Sequence, residues 1–441
     1  MKYFVRITLL FIVCYSSAIS VMGQTSQSLS LSDCVQLAIQ NNPSLKRSEL
    51  DLRRDQINYR QAQYNRLPSL NGSVSHSYNQ GRSINSTTNQ FVDNSYFSGN
   101  QSLSLNAPLF NGFRILHDIR LRGSAREAGK LEFESAANEL KLDVIEAYVM
   151  VLTAQDMLKQ AEGQMAVTAE NVRRSEVMQQ EGAANPGDYY DLRGQLQAEE
   201  NNVQNTKQEL YNNQLRLMAL LNISGNDLPT LQPLSLPAEE TVDMSQDLYQ
   251  SALRTLPNFK ALDWRIKQAE HSIKVAKSQY YPSLSLDAGV QSRFSSVDEQ
   301  GYNYWQQLTN YPSKGISLTL RVPIFNQMQV RNQVKLARLD LDEAKWNRKV
   351  QENLVREETA KAVFSLSTVQ KNVHSLRKQE RDYQEAFRIA QVHFDAGNSN
   401  SVLLLTAKNK LDNATNQLLI KQYAWILQKY INDYYAGKLE L

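Results

Sequence analysis

Displacing the 441-residue sequence against itself by 214 or 215 positions lays one half over the other. At 214, Pro43 meets Pro257, Pro68 meets Pro282, Ser69 meets Ser283 and Leu70 meets Leu284. At 215, Leu103 meets Leu318, Leu105 meets Leu320, Pro108 meets Pro323, Phe110 meets Phe325, Asn111 meets Asn326 and Gly182 meets Gly397. An offset kept over that distance marks a duplication, so any fold must be built twice. The copies are expected at 24–224 and 239–441, joined by a linker at 225–238 that carries Pro229, Pro233 and Pro237. Ahead of them, residues 1–23 read as a secretory signal peptide, with Lys2 and Arg6 before an apolar run and cleavage expected before Gln24. Cys14 follows Phe-Ile-Val and not a small-residue lipobox, so no lipid attachment is expected there.

Proline placement divides each copy. None lies between Pro108 and Pro186, and none follows Pro323. From about Ile115 to Glu181 and from Val330 to Ala396 the chain is rich in Ala, Leu, Glu, Gln, Lys and Arg, which favours helices about 100 Å long. Val144, Val151, Leu158, Met165 and Val172 recur every seven residues. Leu404, Leu411, Leu418 and Trp425 do the same, and their counterparts at the 215 offset are Tyr189, Leu196, Val203 and Leu210. That period predicts left-handed coiled-coil packing, with these stripes as buried core.

Between the N-terminal helix and the long helix of each copy the period changes to two. Leu70, Val74 and Tyr78 alternate with Asn71, Ser73, Ser75 and Ser77; Leu103, Leu105, Ala107 and Leu109 alternate with Asn100, Ser102, Ser104 and Asn106. In the second copy Leu284, Leu286, Ala288 and Val290 alternate with Ser283, Ser285, Asp287 and Gln291, and Ile316 to Ile324 alternates likewise. A soluble sheet or a transmembrane β-barrel would both give this pattern. Aromatic residues at both strand ends favour the barrel: Tyr78, Tyr96, Phe97, Phe294, Tyr302, Tyr304, Trp305 and Tyr311 beside the long polar loops, and Tyr64, Tyr280, Tyr281, Phe110 and Phe325 beside the helices. Four strands cannot close a barrel and open edges are excluded from lipid, so several chains must share one. The mean hydropathy of −0.49 fits a barrel, because its apolar residues occupy only alternate positions.

The same residues exclude other classes. A net charge of +3 from 48 basic and 45 acidic residues leaves no nucleic-acid footprint. His76, His117, His271, His374 and His393 are scattered without ligand spacing, and Cys34 is the one cysteine beyond the signal peptide, so neither a metal nor a cofactor is expected. No phosphate-binding loop or nucleophile arrangement is present, and no enzyme is expected.

The whole mature chain resembles the TolC family of outer-membrane efflux and secretion channels. The resemblance lies in SLSDCVQLAIQNNPSLK at 30–46, the helix-to-strand turns LPSL at 67–70 and YPSL at 281–284, the strand-to-helix turns PLFNG at 108–112 and PIFNQ at 323–327, and FDAGNSNSVLLLTAKNKLDNA at 394–414. It implies a mainly α protein with transmembrane β structure: four strands per chain in a homotrimeric 12-stranded barrel in the lipid of the outer membrane, above a coiled-coil tunnel in the periplasm. It also implies a passive duct docked to a periplasmic adaptor and an inner-membrane pump of the RND or ABC type. A periplasmic coiled-coil scaffold without channel activity is the competing reading.

Pro68, Pro108, Phe110, Pro282, Pro323 and Phe325 would mark the junctions between barrel and helices, with Pro108 and Pro323 at strand ends. Gly182 and Gly397 would turn each long helix into the next and form the periplasmic tip, which in the family gates the tunnel and meets the adaptor. The family's acidic gate positions in the second copy hold Leu403 and Thr406, and a latching arginine is replaced by Ser399; the matching positions in the first copy hold Asp188 and Asp191. The ionic latch is therefore not expected here. Asp188 is left with two roles, capping the helix that it begins or gating the tip.

Overall fold

The computed structural model describes residues 28–84, 89–93, 95–182, 185–225, 229–237 and 245–439. The signal peptide and parts of the linker lie outside the described residues.

The first copy contains α1 (Leu31–Asn41), α2 (Pro43–Tyr64), β1 (Ser69–Asn79), β2 (Arg82–Ile84), β3 (Phe91–Asp93), β4 (Tyr96–Asn111), α3 (Arg114–Gln180) and α4 (Pro186–Leu221). The second contains α5 (Ser245–Thr255), α6 (Pro257–Ser278), β5 (Ser283–Ser295), α7 (Tyr304–Asn310), β6 (Ser313–Arg321), α8 (Gln329–Asp395) and α9 (Ser401–Ala436). Corresponding helices have equal lengths: 11, 22, 67 and 36 residues in each copy. The single N-terminal helix expected of each copy is in fact two. Asn42 ends α1 and its side chain caps α2, accepting from the Ser44 and Leu45 amides, while Pro43 takes the first helical position where no donor is needed.

Four strands form one antiparallel sheet in the order β1-β4-β5-β6, and β2 pairs with β3 in a small hairpin. The polar loops expected at 80–94 and 296–313 therefore carry this hairpin and α7. The helices follow the strands: α2 packs on α3, α3 on α6 and α6 on α8. Arg126 of α3 stacks on Tyr59 of α2, Arg265 of α6 bridges Glu132 of α3, and Arg348 of α8 bridges Asp263 of α6. The sheet and the helical layer thus share one order, so β1 and α2 form one open side and β6 and α8 the other.

The sheet has two chemically distinct faces. Cross-strand pairing brings Leu105, Ala288 and Ile316 into one row and Leu103 and Val290 into the next, with Leu286–Leu318 and Leu284–Leu320 on the other side. Ile316 is 81% exposed, Val74 68% and Leu320 63%. An apolar face this bare would be costly in water, at roughly 25 cal/mol per Å². The opposite face carries Ser73, Ser102, Asn106 and Asp287, with Asn106 donating to Asp287 at 2.6 Å and Ser73 bonded to Ser102 at 2.8 Å. Among the described residues no helix is long and apolar enough to cross a membrane.

Most of the core sits at mid-height of the helices. Val144, Ile145, Tyr148 and Val151 of α3 pack with Leu31, Cys34, Val35 and Ala38 of α1 and with Leu217 and Leu221 of α4. The linker is held there: Leu29 and Leu231 form a parallel bridge, and the Tyr148 hydroxyl lies 3.0 Å from the Leu29 carbonyl and 2.7 Å from that of Gln232. Burial pushes the Cys34 thiol up to about 12, so the sulfur stays protonated at neutral pH.

Candidate functional site

The two ends of the helical region hold the predicted site residues. At the junction with the sheet, the chain leaves each second strand through two consecutive left-handed residues, Gly112 and Phe113 in the first copy, Gln327 and Met328 in the second, with φ between 54° and 64°. This pair reverses the extended backbone into the long helix. A Cβ on Gly112 would lie 2.4 Å from the Ser278 carbonyl oxygen, so a side chain is excluded there.

Pro68 and Pro282 precede the first residues of β1 and β5, and Pro323 follows the end of β6. Pro108 differs from its expectation, because it lies inside β4 and the register shifts between Pro108 and Phe110. A bulge absorbs the missing ladder donor, so the strand continues past the proline. Phe110 packs edge-on against Phe113 at 5.3 Å, and Phe325 is 76% exposed.

At the far end both helical hairpins turn on glycine. Gly182 has φ +70° and Gly397 φ +74°, with no atom close to where a Cβ would sit, so the requirement is conformational. The Gly397 and Asn398 amides donate to the Phe394 and His393 carbonyls, closing the end of α8. Asn185 and Asn400 then cap α4 and α9, accepting from the Gly187 and Leu403 amides.

Asp188 is thus not needed to cap its own helix. Its Oδ1 accepts from the backbone amide of Ser401, the first residue of α9, at 2.7 Å, and the Ser401 hydroxyl donates to Asp191 Oδ2 at 3.0 Å. Ser401 is fully buried. The two aspartates of the first copy therefore hold the positive end of a helix in the second. Ser399 is half-buried beside this tie, while Leu403 and Thr406 are exposed on the first turns of α9 and face away from the protomer core.

Further contacts that the sequence did not reveal join the hairpins. Leu192 of α4, Phe394 of α8 and Leu404 of α9 form a small apolar cluster. Arg174 of α3 bridges Asp395 of α8 at 2.8 Å and also holds Glu170, whose carboxyl is pulled down to about 2 by Arg173 and Arg174. Gln391 of α8 donates to Asn171 of α3 at 3.0 Å.

Behind the tip the buried stripe of α3 changes character, from Val144, Tyr148 and Val151 to Gln164, Thr168, Asn171 and Ser175. Their alternating four- and three-residue spacing is that of a coiled-coil seam. Gln164 Nε2, Thr168 Oγ1, Asn171 Nδ2 and Ser175 Oγ have no protein partner. Nearby, Lys408 of α9 is 2% exposed and bonds Glu199 of α4 at 2.8 Å and Asp412 at 2.7 Å. Burial raises the Asp412 carboxyl despite the opposing pull of Lys408. The i,i+4 spacing of Lys408 and Asp412 is legible in the sequence; their burial against Glu199 is not.

Among the described residues no group of three or more His, Cys, Asp or Glu is placed to hold a metal ion. The chain thus presents a sheet apolar on one side and polar on the other, two helices of about 100 Å at 1.5 Å per residue, and a tip held by a few polar ties.

The sequence matches the model of the family described as outer membrane efflux protein over residues 34–223 and 248–429. It is 23% identical over 395 residues to outer membrane protein OprJ of Pseudomonas aeruginosa, covering 85% of this chain and 77% of that protein. It is 24% identical over 456 residues to the alkaline protease secretion protein AprF of the same species, covering 97% and 88%. The fold is similar to that of the Campylobacter jejuni CmeC outer membrane channel, with a TM-score of 0.79 at 19% identity over 93% of this chain and 86% of that one. The chain belongs to the outer membrane efflux protein family, as a channel-forming protein of the outer membrane.

Proposed function

We propose that three copies of this chain close a 12-stranded barrel and the tunnel beneath it, with β1 and α2 of one protomer meeting β6 and α8 of the next. The observation that carries this reading is the open sheet with one apolar face. Its edge strands have no partner within the described residues of the chain, and edges cannot remain open in lipid. Twelve strands leave a lumen, whereas eight would be filled by side chains.

The two copies, 24–224 and 239–441, act as the structural units, with 225–238 as the strap between them. Pro68, Pro108, Phe110, Pro282, Pro323 and Phe325 mark the boundary between membrane and periplasm. The tip turns at Gly182 and Gly397, with Asp188, Asp191, Ser399, Leu403 and Thr406, form the gate and the surface offered to a periplasmic adaptor. An inner-membrane pump would supply the driving force. The tie from Asp188 and Asp191 to Ser401 supports the gate assignment, because it lies at the tip and spans the two hairpins.

Purified protein in mild detergent should have the mass of three chains and conduct ions across a planar bilayer. A stable monomer without conductance would overturn the closed-barrel reading.

A further inference from the structure

The short helix α7 lies on the apolar side of the sheet. The Tyr304 hydroxyl accepts from Gln101 Nε2 at 2.9 Å, the Ser292 hydroxyl donates to the Gln307 carbonyl at 3.3 Å, and the Tyr304 ring packs 5.7 Å from His76 and 5.0 Å from Phe294. Pairing fixes the side: Gln101 opposes Ser292 two residues beyond the Leu103–Val290 pair, and Gly99 opposes both His76 and Phe294 two residues further on. All these side chains share the face of Leu103, Val290 and Ile316. Gln307 locks the helix in place by accepting from the Ser295 amide at 2.8 Å and donating to the carbonyls of Ser295 and Tyr302.

Dimensions place this helix at the outer limit of the membrane. The aliphatic rows from Leu284 to Val290 span six residues, about 20 Å along the strand and about 15 Å along the normal at a tilt of about 40°. The rows of Gln101–Ser292 and Gly99–Phe294 extend this to about 25 Å, the height of the apolar band of such barrels. Those two rows contain polar groups that lipid could not solvate. α7 covers them: Ser292 is 8% exposed, whereas Trp305, on the outer surface of α7, is 73% exposed.

We propose that α7 is a lipid-side collar, seated at the outer-leaflet boundary, that shields Gln101 and Ser292 beneath Tyr304 and presents Trp305 to lipid. The loop between β5 and β6 is then folded outward and does not cover the mouth of the channel. The inference rests on the apolar sheet face meeting lipid, and uses neither the tip nor the pump.

The test is fluorescence quenching of the full-length channel in phosphatidylcholine vesicles whose acyl chains are brominated near the glycerol, comparing the unaltered protein with Trp305→Phe. Trp264, Trp346 and Trp425 lie in α6, α8 and α9, away from the sheet. The emission lost with Trp305→Phe should be quenched about twofold by the brominated lipid, as for an interfacial tryptophan. Emission untouched by brominated lipid but quenched by acrylamide from the water would overturn the proposal. Conductance of the same vesicles, measured independently, separates either result from a failure to close the barrel.

Discussion

The amide of Ser401 donates to Asp188 Oδ1 at 2.7 Å, joining residues 213 positions apart at the end of the molecule farthest from the sheet. Asp188 held by a helix N-terminus and Asp191 held by the buried Ser401 hydroxyl are charge-assisted contacts, each stronger than an ordinary polar one by about twofold. Removing both carboxylates with Asp188→Ala and Asp191→Ala should free the first turn of α9 and raise the open fraction of the channel about tenfold, for a loss of about 1.5 kcal/mol. Single-channel recording in planar bilayers measures this directly. Conductance and cation preference identical to those of the unaltered protein would show that the tie is structural only.

Lys408 is the only cation bonded to the buried Glu199 and the half-buried Asp412 among the described contacts. Lys408→Met should therefore cost about 3 kcal/mol, because a buried and a half-buried carboxylate lose their counter-ion. Replacing all three as Lys408→Met, Glu199→Gln and Asp412→Asn should recover most of that loss. Thermal unfolding of the three proteins, followed by helical circular dichroism, decides between them.

Asp412 also sets a pH dependence. Its folded-state carboxyl is raised above the ordinary 3.8 by burial, so the stability that it contributes is complete below that value and lost as pH rises through the raised one. Lys408 and Glu199 face it, and Lys408 moderates the shift without reversing it. Unfolding midpoints from pH 3 upward, compared with those of Asp412→Asn, should show a decline that the variant lacks. Parallel curves would remove Asp412 as the source.

The two strand-to-helix junctions predict opposite outcomes for one kind of change. Gly112→Ala places a Cβ against the Ser278 carbonyl in a left-handed residue and should lower assembly by several kcal/mol of strain and clash. Gln327→Gly, at the equivalent place in the second copy, removes an unfavourable left-handed residue and should be neutral or stabilising by up to about 1 kcal/mol. The yield of heat-resistant oligomer reports both. Equal tolerance would mean that the junction can relax.

The large elements were legible because periodicity writes them along the chain. The offset of 215 carries the paired 67-residue helices, the glycine turns and the alternating strands, and Pro43 and Pro257 mark helix starts once a cap is sought before them. Pro108 falls inside its strand because a bulge satisfies the ladder, a device that leaves no sequence signature. α7 is not legible because seven residues are too few for a period. The tie at Ser401 and the ion cluster at Lys408 link residues more than 200 positions apart, and such pairing follows from how two hairpins dock, which no local pattern records.

The shared order of strands and helices has a consequence for biogenesis. Each open side runs unbroken from the sheet through the helical layer, so protomers joined as proposed would meet along one continuous seam passing through two solvents. Such a seam cannot be half made: a barrel closed in lipid over splayed helices would leave the sides of α2 and α8 bare, and the reverse would leave β1 and β6 unpaired in hydrocarbon. On that proposal oligomerisation and membrane insertion would be a single cooperative event, and a defect anywhere along the seam would act on both.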